Sequence, residues 1–178
     1  RNACMQKKDI EITTPMKEEL LHSSYVTMDM FYPYIRTYLM MTPSSKLSEY
    51  FLISEGIENH LKKNAEKCAT YQEFIQECVN YRYTASKIRR CLVQIMMQIT
   101  KEDVKNLPKL DTLRILAFNN KGREWLHSKR KEEVHIASKF AEIPKSYRDI
   151  EFQATQLYTS VLPEEERKRL LDLEIKGA

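Results

Sequence analysis

Residues 81–90, Tyr-Arg-Tyr-Thr-Ala-Ser-Lys-Ile-Arg-Arg, run directly into residues 91–99, Cys-Leu-Val-Gln-Ile-Met-Met-Gln-Ile. The first part carries four cations and no acid, whereas the second part is mostly apolar. At helical spacing one stripe contains Tyr81, Thr84, Ile88, Leu92, Ile95 and Ile99. We therefore predict a helix over residues 81–99 that buries this stripe and turns Arg82 and Arg89 outward.

The cationic turn at the start of this predicted helix has two possible environments. In water, neighbouring cations repel each other, at a cost of only a few tenths of a kcal/mol for each pair. Against a polyanion, the same charges contribute affinity because the polyanion releases its counterions. Both environments are compatible with the residues alone. Arg82, Lys87, Arg89 and Arg90 are the candidate phosphate contacts of this turn.

Length and composition describe a globular protein with an uneven distribution of charge. The chain has 178 residues, of which 30% are charged and 42% hydrophobic, and this length allows a sizeable core. The formal net charge is +4. Residues 105–131 carry eight Lys or Arg against two acids, so the middle of the chain is cationic.

The sequence argues against several kinds of site. No apolar run reaches membrane-spanning length, so we expect no membrane partner. The four cysteines and four histidines lack metal-ligand spacing, so we expect no metal. Phosphate-cradling loops require glycines, and the chain has only three, at 56, 122 and 177. We therefore expect neither a P-loop nor a dinucleotide fingerprint.

Hydrophobic periodicity and turn residues predict a mainly α-helical fold with a small βαβ insert of two parallel strands. We expect a lead-in segment over residues 1–15, a helical region over 16–107, a βαβ unit over 108–144 and C-terminal helices over 145–178. The predicted strands are Leu113–Phe118 and Val134–Phe140, joined by a helix over Arg123–Lys131. Two strands cannot stand alone in water, so the helices must cover them.

A second candidate anion site follows the first predicted strand. Residues 119–124, Asn-Asn-Lys-Gly-Arg-Glu, join the end of that strand to the start of a helix. Backbone N–H groups and the positive end of the helix dipole collect anions at such junctions. Lys121 and Arg123 would add charge there, although a plain turn would favour the same Asn and Gly residues. Contact with a phosphate and an ordinary turn both remain open.

Three segments in this order and spacing resemble the C-terminal half of the tRNA(Met) cytidine acetate ligases, a family once described only as predicted nucleotidyltransferases. They are residues 54–61, Ser-Glu-Gly-Ile-Glu-Asn-His-Leu, then residues 81–90, then residues 114–123, Arg-Ile-Leu-Ala-Phe-Asn-Asn-Lys-Gly-Arg. The resemblance covers roughly residues 25–140. It implies that an N-terminal nucleotidyltransferase domain with a HIGH-type motif adenylates acetate with ATP. The acetyl group then passes to the wobble cytidine of elongator tRNA(Met).

On this resemblance the catalytic domain is expected to lie upstream of Arg1. The chain opens on Arg rather than Met and contains no His-x-Gly-His string. We therefore expect a C-terminal tRNA-binding helical domain in the cytoplasm, inactive alone, with the ATP site in the missing N-terminal domain and no cofactor or catalytic residue in this chain. Its expected partners are tRNA and that nucleotidyltransferase domain.

Under this hypothesis the two cationic regions form one tRNA-binding surface. Arg82, Lys87, Arg89 and Arg90 would meet phosphates, and Lys121 and Arg123 would extend the track. Tyr83 would stack on a base or a sugar. Two alternatives remain: a helical protein-interaction module whose basic face binds an acidic partner, and a chain that retains a catalytic residue acting together with the missing domain.

Overall fold

A computed structural model describes residues 26–115, 119–129, 135–137 and 139–176. The helices described are α1 (Met28–Met41), α2 (Ser44–Leu47), α3 (Ile57–Lys67), α4 (Tyr71–Cys78), α5 (Ala85–Met96), α6 (Lys101–Lys105), α7 (Asn120–Lys129), α8 (Lys145–Thr159) and α9 (Glu164–Lys176). A short 3-10 helix, Phe140–Glu142, precedes α8. The prediction of a mainly helical fold is confirmed, while the predicted lead-in over residues 1–15 lies outside the described residues.

The two described strands form a small parallel sheet. Strand β1 (Thr112–Arg114) pairs with β2 (His135–Ala137) in a register that places Leu113 opposite Ile136. Helix α7 lies between them in the chain, so the predicted parallel pair with a helical connection is confirmed. The second strand was predicted to reach Phe140, which instead lies in the 3-10 helix. Residues 116–118, 134 and 138 of the predicted strands lie outside the described residues, and the predicted domain boundaries stay predictions.

The main core lies among the helices that precede the sheet. Helix α1 packs against α3 and α4, α3 packs against α2 and α4, and α4 packs against α5. The largest fully buried side chains of this core include Tyr32, Leu39, Leu61, Phe74 and Leu92. A smaller cluster of Ala137, Phe140 and Ile143 lies beside the sheet. Burying these apolar side chains stabilises each by about 1.5–3 kcal/mol relative to exposure, which positions α5 firmly against the rest.

Residues 81–99 form a shorter helix than predicted. Helix α5 begins at Ala85, because the side chain of Asn80 accepts the backbone N–H groups of Arg82 and Tyr83, both at 2.9 Å, and holds them in a turn. Thr84 then caps the helix by accepting the Lys87 N–H at 3.3 Å. The predicted start at Tyr81 is therefore wrong.

The predicted buried stripe is correct only inside the helix. Ile88, Leu92 and Ile95 are buried, as expected. Tyr81 is fully exposed and Thr84 is also exposed, because both precede the first helical residue and do not follow helical spacing. Ile99 lies beyond the end of α5 and is only partly buried. The residue of this segment that enters the core is Tyr83, which is 5% exposed.

Local capping signals position the neighbouring helices. Thr70 and Glu73 form a capping box at the start of α4, and Thr100 forms one with Asp103 at the start of α6. The ammonium of Lys62 donates to the carbonyls of Leu39, Met40 and Thr42, where α1 ends. These contacts satisfy backbone groups that a helix end otherwise leaves unpaired.

Candidate phosphate-binding surface

The site is built where the loop before α3 meets the turn before α5. Glu55 and Gly56 precede α3 in the left-handed backbone region, with φ of 61° and 81°. Residues rarely adopt this conformation unless they are glycine, which explains Gly56 at the N-cap position of the helix. The resulting turn brings Glu55 next to Arg82, Tyr83 and Lys87. Segments 54–61 and 81–90, which carried the resemblance, are therefore in contact.

One carboxylate serves two cations. The Glu55 Oε2 atom lies 3.3 Å from the Lys87 ammonium and 3.8 Å from Nε of Arg82. The Arg82 and Glu55 side chains are about half exposed, so each pairing contributes less than about 1 kcal/mol to stability. The local charge is nevertheless positive, because two cations face a single acid.

Tyr83 contacts all three residues of this cluster, Glu55, Arg82 and Lys87. Its hydroxyl donates to the Glu55 carbonyl oxygen at 2.7 Å, and its ring centroid lies 5.4 Å from that of His60. The Arg82 guanidinium and the Lys87 ammonium lie 5.5 and 5.3 Å from the ring centroid. The Tyr83 ring is only 5% exposed, and these protein groups surround it. Stacking of Tyr83 on a base or a sugar stays a prediction.

His60 helps to hold this cluster in place. Its Nε2 atom is 2.9 Å from the carbonyl oxygen of Cys78, which ends α4. Asn64, one turn further along α3, donates to the His60 carbonyl at 3.0 Å. These contacts join α3, α4 and the turn before α5 beneath the exposed cations. Glu55 and His60 were not among the site residues predicted from the sequence, although both lie in segment 54–61.

Arg89 and Arg90 continue the cationic face along α5. Both are exposed, and the Arg90 Nε atom donates back to the Ser86 carbonyl at 3.3 Å. Burial raises the pKa of Tyr71, while the nearby charge of Arg89 lowers it, which places Arg89 close to the start of α4. Helix α5 contains no acidic residue. The prediction that Arg82 and Arg89 face solvent is confirmed.

The second predicted anion site lies on the connection between the strands. The Asn119 side chain accepts the Gly122 N–H at 2.9 Å, and the Asn119 carbonyl accepts that of Arg123 at the same distance. Lys121 and Arg123 are exposed in the first turn of α7. Their contact with phosphate, and their union with the α5 cations in one surface, stay predictions.

Other kinds of site find little support among the described residues. No group of three or more His, Cys, Asp or Glu side chains in these ranges is placed to hold a metal ion. Cys68, Cys78 and Cys91 are buried, and burial raises the pKa of the Cys78 thiol to about 12, so this thiol is a poor nucleophile near neutral pH. Among the described helices, none combines the length and the apolar character needed to cross a lipid bilayer.

Similarity to known proteins extends along nearly the whole chain. The family model of the HIGH Nucleotidyl Transferases matches residues 1–172. The tRNA(Met) cytidine acetate ligase of Acetivibrio thermocellus is 30% identical over 139 residues, which cover 72% of this chain and 34% of that protein. The ligase of Limosilactobacillus reuteri is 31% identical over 137 residues, covering 76% of this chain and 36% of that protein. The chain thus spans about a third of the length of these curated relatives.

Two crystal structures of Thermotoga maritima TmcAL share the fold. The apo form superposes with a TM-score of 0.69 at 23% identity, over 86% of this chain and 40% of that one. The form bound with alpha-thio ATP superposes with a TM-score of 0.75 at 22% identity, over 93% of this chain and 46% of that one. At these identities the likeness establishes a common architecture.

These findings correct three predictions from the sequence. The family model matches residues 1–172, so the prediction of a C-terminal part that lacks the HIGH-type nucleotidyltransferase domain is wrong, as is the function of a tRNA-binding domain without its catalytic domain. The prediction of a separate N-terminal domain as a partner loses its support. The prediction of no cofactor in this chain is also wrong, because the matched family transfers nucleotides and the TmcAL structure holds an ATP analogue. The chain belongs to the HIGH nucleotidyl transferase family.

Proposed function

We propose that this chain is part of an ATP-dependent tRNA(Met) cytidine acetate ligase of the cytoplasm. The proposal is supported by the similarity to two such ligases, each over more than two thirds of this chain. In such an enzyme ATP would supply the energy that activates acetate, and a cytidine of the tRNA would accept the acetyl group. The residues of this chain then have to bind and orient a large polyanion.

The cluster around Glu55 is the observation that carries the assignment of the tRNA-binding surface. Arg82 and Lys87 share one carboxylate, so a phosphate oxygen can approach both cations without first breaking a fully balanced ion pair. Arg89 and Arg90 follow on the exposed side of the same helix. Phosphates that these side chains neutralise would release counterions and give binding that weakens as salt rises. Lys121 and Arg123 extend the proposed surface.

Tyr83 and Glu55 would act through the cations rather than on the tRNA. The hydroxyl of Tyr83 holds the Glu55 backbone, and the Glu55 side chain sets the position of Lys87 and Arg82. Such pre-positioning reduces the side-chain entropy lost when a phosphate binds. We therefore assign Tyr83 a positioning role.

Gly56 lies beside this cluster in the left-handed backbone region. The position that a Cβ would take at Gly56 has no heavy atom within 4 Å, so the backbone there is open to an approaching group. The proposal assigns the side chains of Arg82, Lys87, Arg89 and Arg90 to the tRNA.

The test compares tRNA binding at several salt concentrations. We expect Arg82→Ala with Lys87→Ala to reduce the affinity for a tRNA(Met) transcript and to lower the slope of log K against log salt by up to about two, since each phosphate contact contributes roughly 0.9. Lys168→Ala is the control, because Lys168, like Lys87, is paired with a carboxylate, at 2.6 Å from Glu164, and it is exposed. Fluorescence anisotropy with a labelled transcript measures both quantities.

Two outcomes would contradict the proposal. If the salt slope of the double variant is unchanged and circular dichroism shows an intact fold, Arg82 and Lys87 do not contact the tRNA. Displacement of the tRNA by an acidic polypeptide at equal charge concentration favours the alternative of an acidic protein partner. ATP- and acetate-dependent transfer of labelled acetate to the transcript tests the catalytic part of the proposal directly.

A further inference from the structure

A cavity of about 420 Å³ lies on the helical body between α1, the end of α5 and α8. Ligand sites in proteins commonly have volumes of roughly 300–1,000 Å³ and mostly apolar walls with a few polar groups. The walls of this cavity include Phe31, Tyr34 and Tyr38 from α1, Gln98 after α5, and Leu157 and Ser160 from the end of α8. Arg82, Lys87, Arg89 and Arg90 are not among the residues that line this cavity.

Helix α1 presents its aromatic residues to the cavity in one row. Phe31, Tyr34 and Tyr38 are separated by three and four positions, which places them on one face of a helix. Phe31 is buried and lines the cavity from within, whereas Tyr34 is 71% exposed and lies at its rim. The hydroxyl of Tyr38 is hydrogen-bonded to that of Tyr50, which fixes the Tyr38 ring. Such a row of rings offers flat surfaces to a planar aromatic group.

Polar groups occur at the edges of this aromatic row. The side-chain amide of Gln98 can both donate and accept hydrogen bonds. The Ser160 hydroxyl donates to the Leu157 carbonyl at 2.7 Å and keeps its oxygen as an acceptor. A ligand that fits has an aromatic face and a polar edge. Nucleobases have this combination, and proteins that bind single strands stack them on aromatic side chains.

The cavity is connected to the proposed tRNA surface through α5. Arg89 and the cavity residue Met96 are seven positions apart, so they lie on one face of the helix about 10 Å from each other. The exposed Val93 lies between them on that face. A strand whose phosphate meets Arg89 can therefore reach the cavity, and α5 contributes no negative charge along this path.

We infer that this cavity binds one unstacked nucleobase of the RNA substrate, with Tyr34 as the side chain on which the base stacks. The inference rests on the proposed function, because it takes the polyanion on the α5 face to be RNA. It adds a base-binding site to a surface that otherwise contacts only phosphates.

The experiment separates the base from the backbone. Binding is measured by fluorescence anisotropy with a labelled single-stranded RNA and with a strand of the same length whose riboses carry no bases. We expect Tyr34→Ala to weaken binding of the normal strand about tenfold and to leave the baseless strand unchanged. Tyr34→Phe, which keeps the ring, should bind both strands like the unchanged chain.

Two further variants make the test specific. Tyr158→Ala is the matched control, since Tyr158 is an exposed tyrosine of α8 outside the cavity wall and its loss should change neither affinity. Ser160→Trp fills the cavity from the side opposite α1 and should reproduce the loss seen with Tyr34→Ala. Ser160 is exposed, so this substitution does not disturb the core.

The outcomes distinguish this inference from the proposed function. If the unchanged chain binds both strands equally, or if Tyr34→Ala weakens both alike, the base site is wrong while the phosphate surface stands. If the chain binds neither strand and no tRNA, the proposed function has failed as well. If the chain is a dimer by sedimentation and Tyr34→Ala converts it to a monomer, a second copy covers the cavity and the inference is overturned.

Discussion

Tyr83 allows a direct test of how the cationic cluster is held together. Its ring is buried and its hydroxyl donates to the Glu55 carbonyl at 2.7 Å. Tyr83→Phe removes this neutral hydrogen bond and keeps the ring, so we expect a loss of about 1 kcal/mol. For a protein of this size that loss lowers Tm by about 2–4 °C. Tyr83→Ala also removes the buried ring, and we expect a loss of about 3–5 kcal/mol.

Tyr81 is the matched control, two positions earlier in the same turn and fully exposed. We expect Tyr81→Phe and Tyr81→Ala to change stability by less than about 0.5 kcal/mol. Urea unfolding followed by circular dichroism measures all four variants, and anisotropy measures their affinity for tRNA. Tyr83→Phe should bind tRNA within about twofold of the unchanged chain.

Two results would refute this reasoning. If Tyr81→Ala destabilises the fold and Tyr83→Ala does not, then the placement of Tyr83 in the core and of Tyr81 in solvent is wrong. If Tyr83→Phe keeps full stability but loses tRNA affinity, the hydroxyl contacts RNA instead of the Glu55 backbone.

Two further predictions concern the core and its helix ends. Lys62→Met removes the ammonium that donates to the last carbonyls of α1, so we expect a loss of about 1.5 kcal/mol in urea unfolding. Lys63→Met alters an exposed neighbour and should change little; equal losses in the two variants would contradict the capping role of Lys62. Burial raises the pKa of Cys78 to about 12 from 9.0 and that of Tyr32 to about 12 from 10.0. The folded chain therefore holds these protons more tightly than the unfolded chain. The stability that the neutral groups contribute is complete below about pH 9 and is lost as the pH rises toward 12. Urea unfolding at pH 8, 9.5 and 10.5 should show a falling free energy of unfolding, and a flat profile would contradict the burial of these groups.

Helices and strands could be predicted from the sequence where the residues that define them lie close together in the chain. Helix α1, Met28–Met41, buries Phe31, Tyr32, Ile35 and Leu39 at helical spacing, and Thr70 and Thr100 open α4 and α6 through capping boxes that span three residues. The parallel strands were predictable because a strand, a helix and a strand within thirty residues favour that connection. The candidate cations were also visible, since exposed charges need no partner to be recognised.

The start of α5 shows where periodicity alone misleads. A helical pattern drawn through Tyr81 and Thr84 ignores that Asn80 can accept two backbone N–H groups and replace the first helical turn. The competing signal was local, but its outcome depended on whether Tyr83 could enter the core.

The prediction that the catalytic domain lies outside this chain was wrong for a different reason. The chain contains no His-x-Gly-His string, and this led to the expectation that the catalytic domain lies outside it. The similarity to the HIGH nucleotidyl transferases is instead spread over residues 1–172. The presence or absence of one short string therefore did not decide the family.

Tertiary structure alone decided the candidate site and the cavity. Glu55 meets Lys87 across 32 positions of the chain, and Tyr34 faces Ser160 across a far longer interval. Contacts at such separations depend on how whole helices pack, and no spacing rule relates the residues in advance. The sequence by itself therefore determined the helix starts that have a capping box, at Thr70 and Thr100, and which residues carry charge. The packing of α1, α3, α5 and α8 decided which of those residues meet, because only burial of their shared apolar faces brings distant segments together.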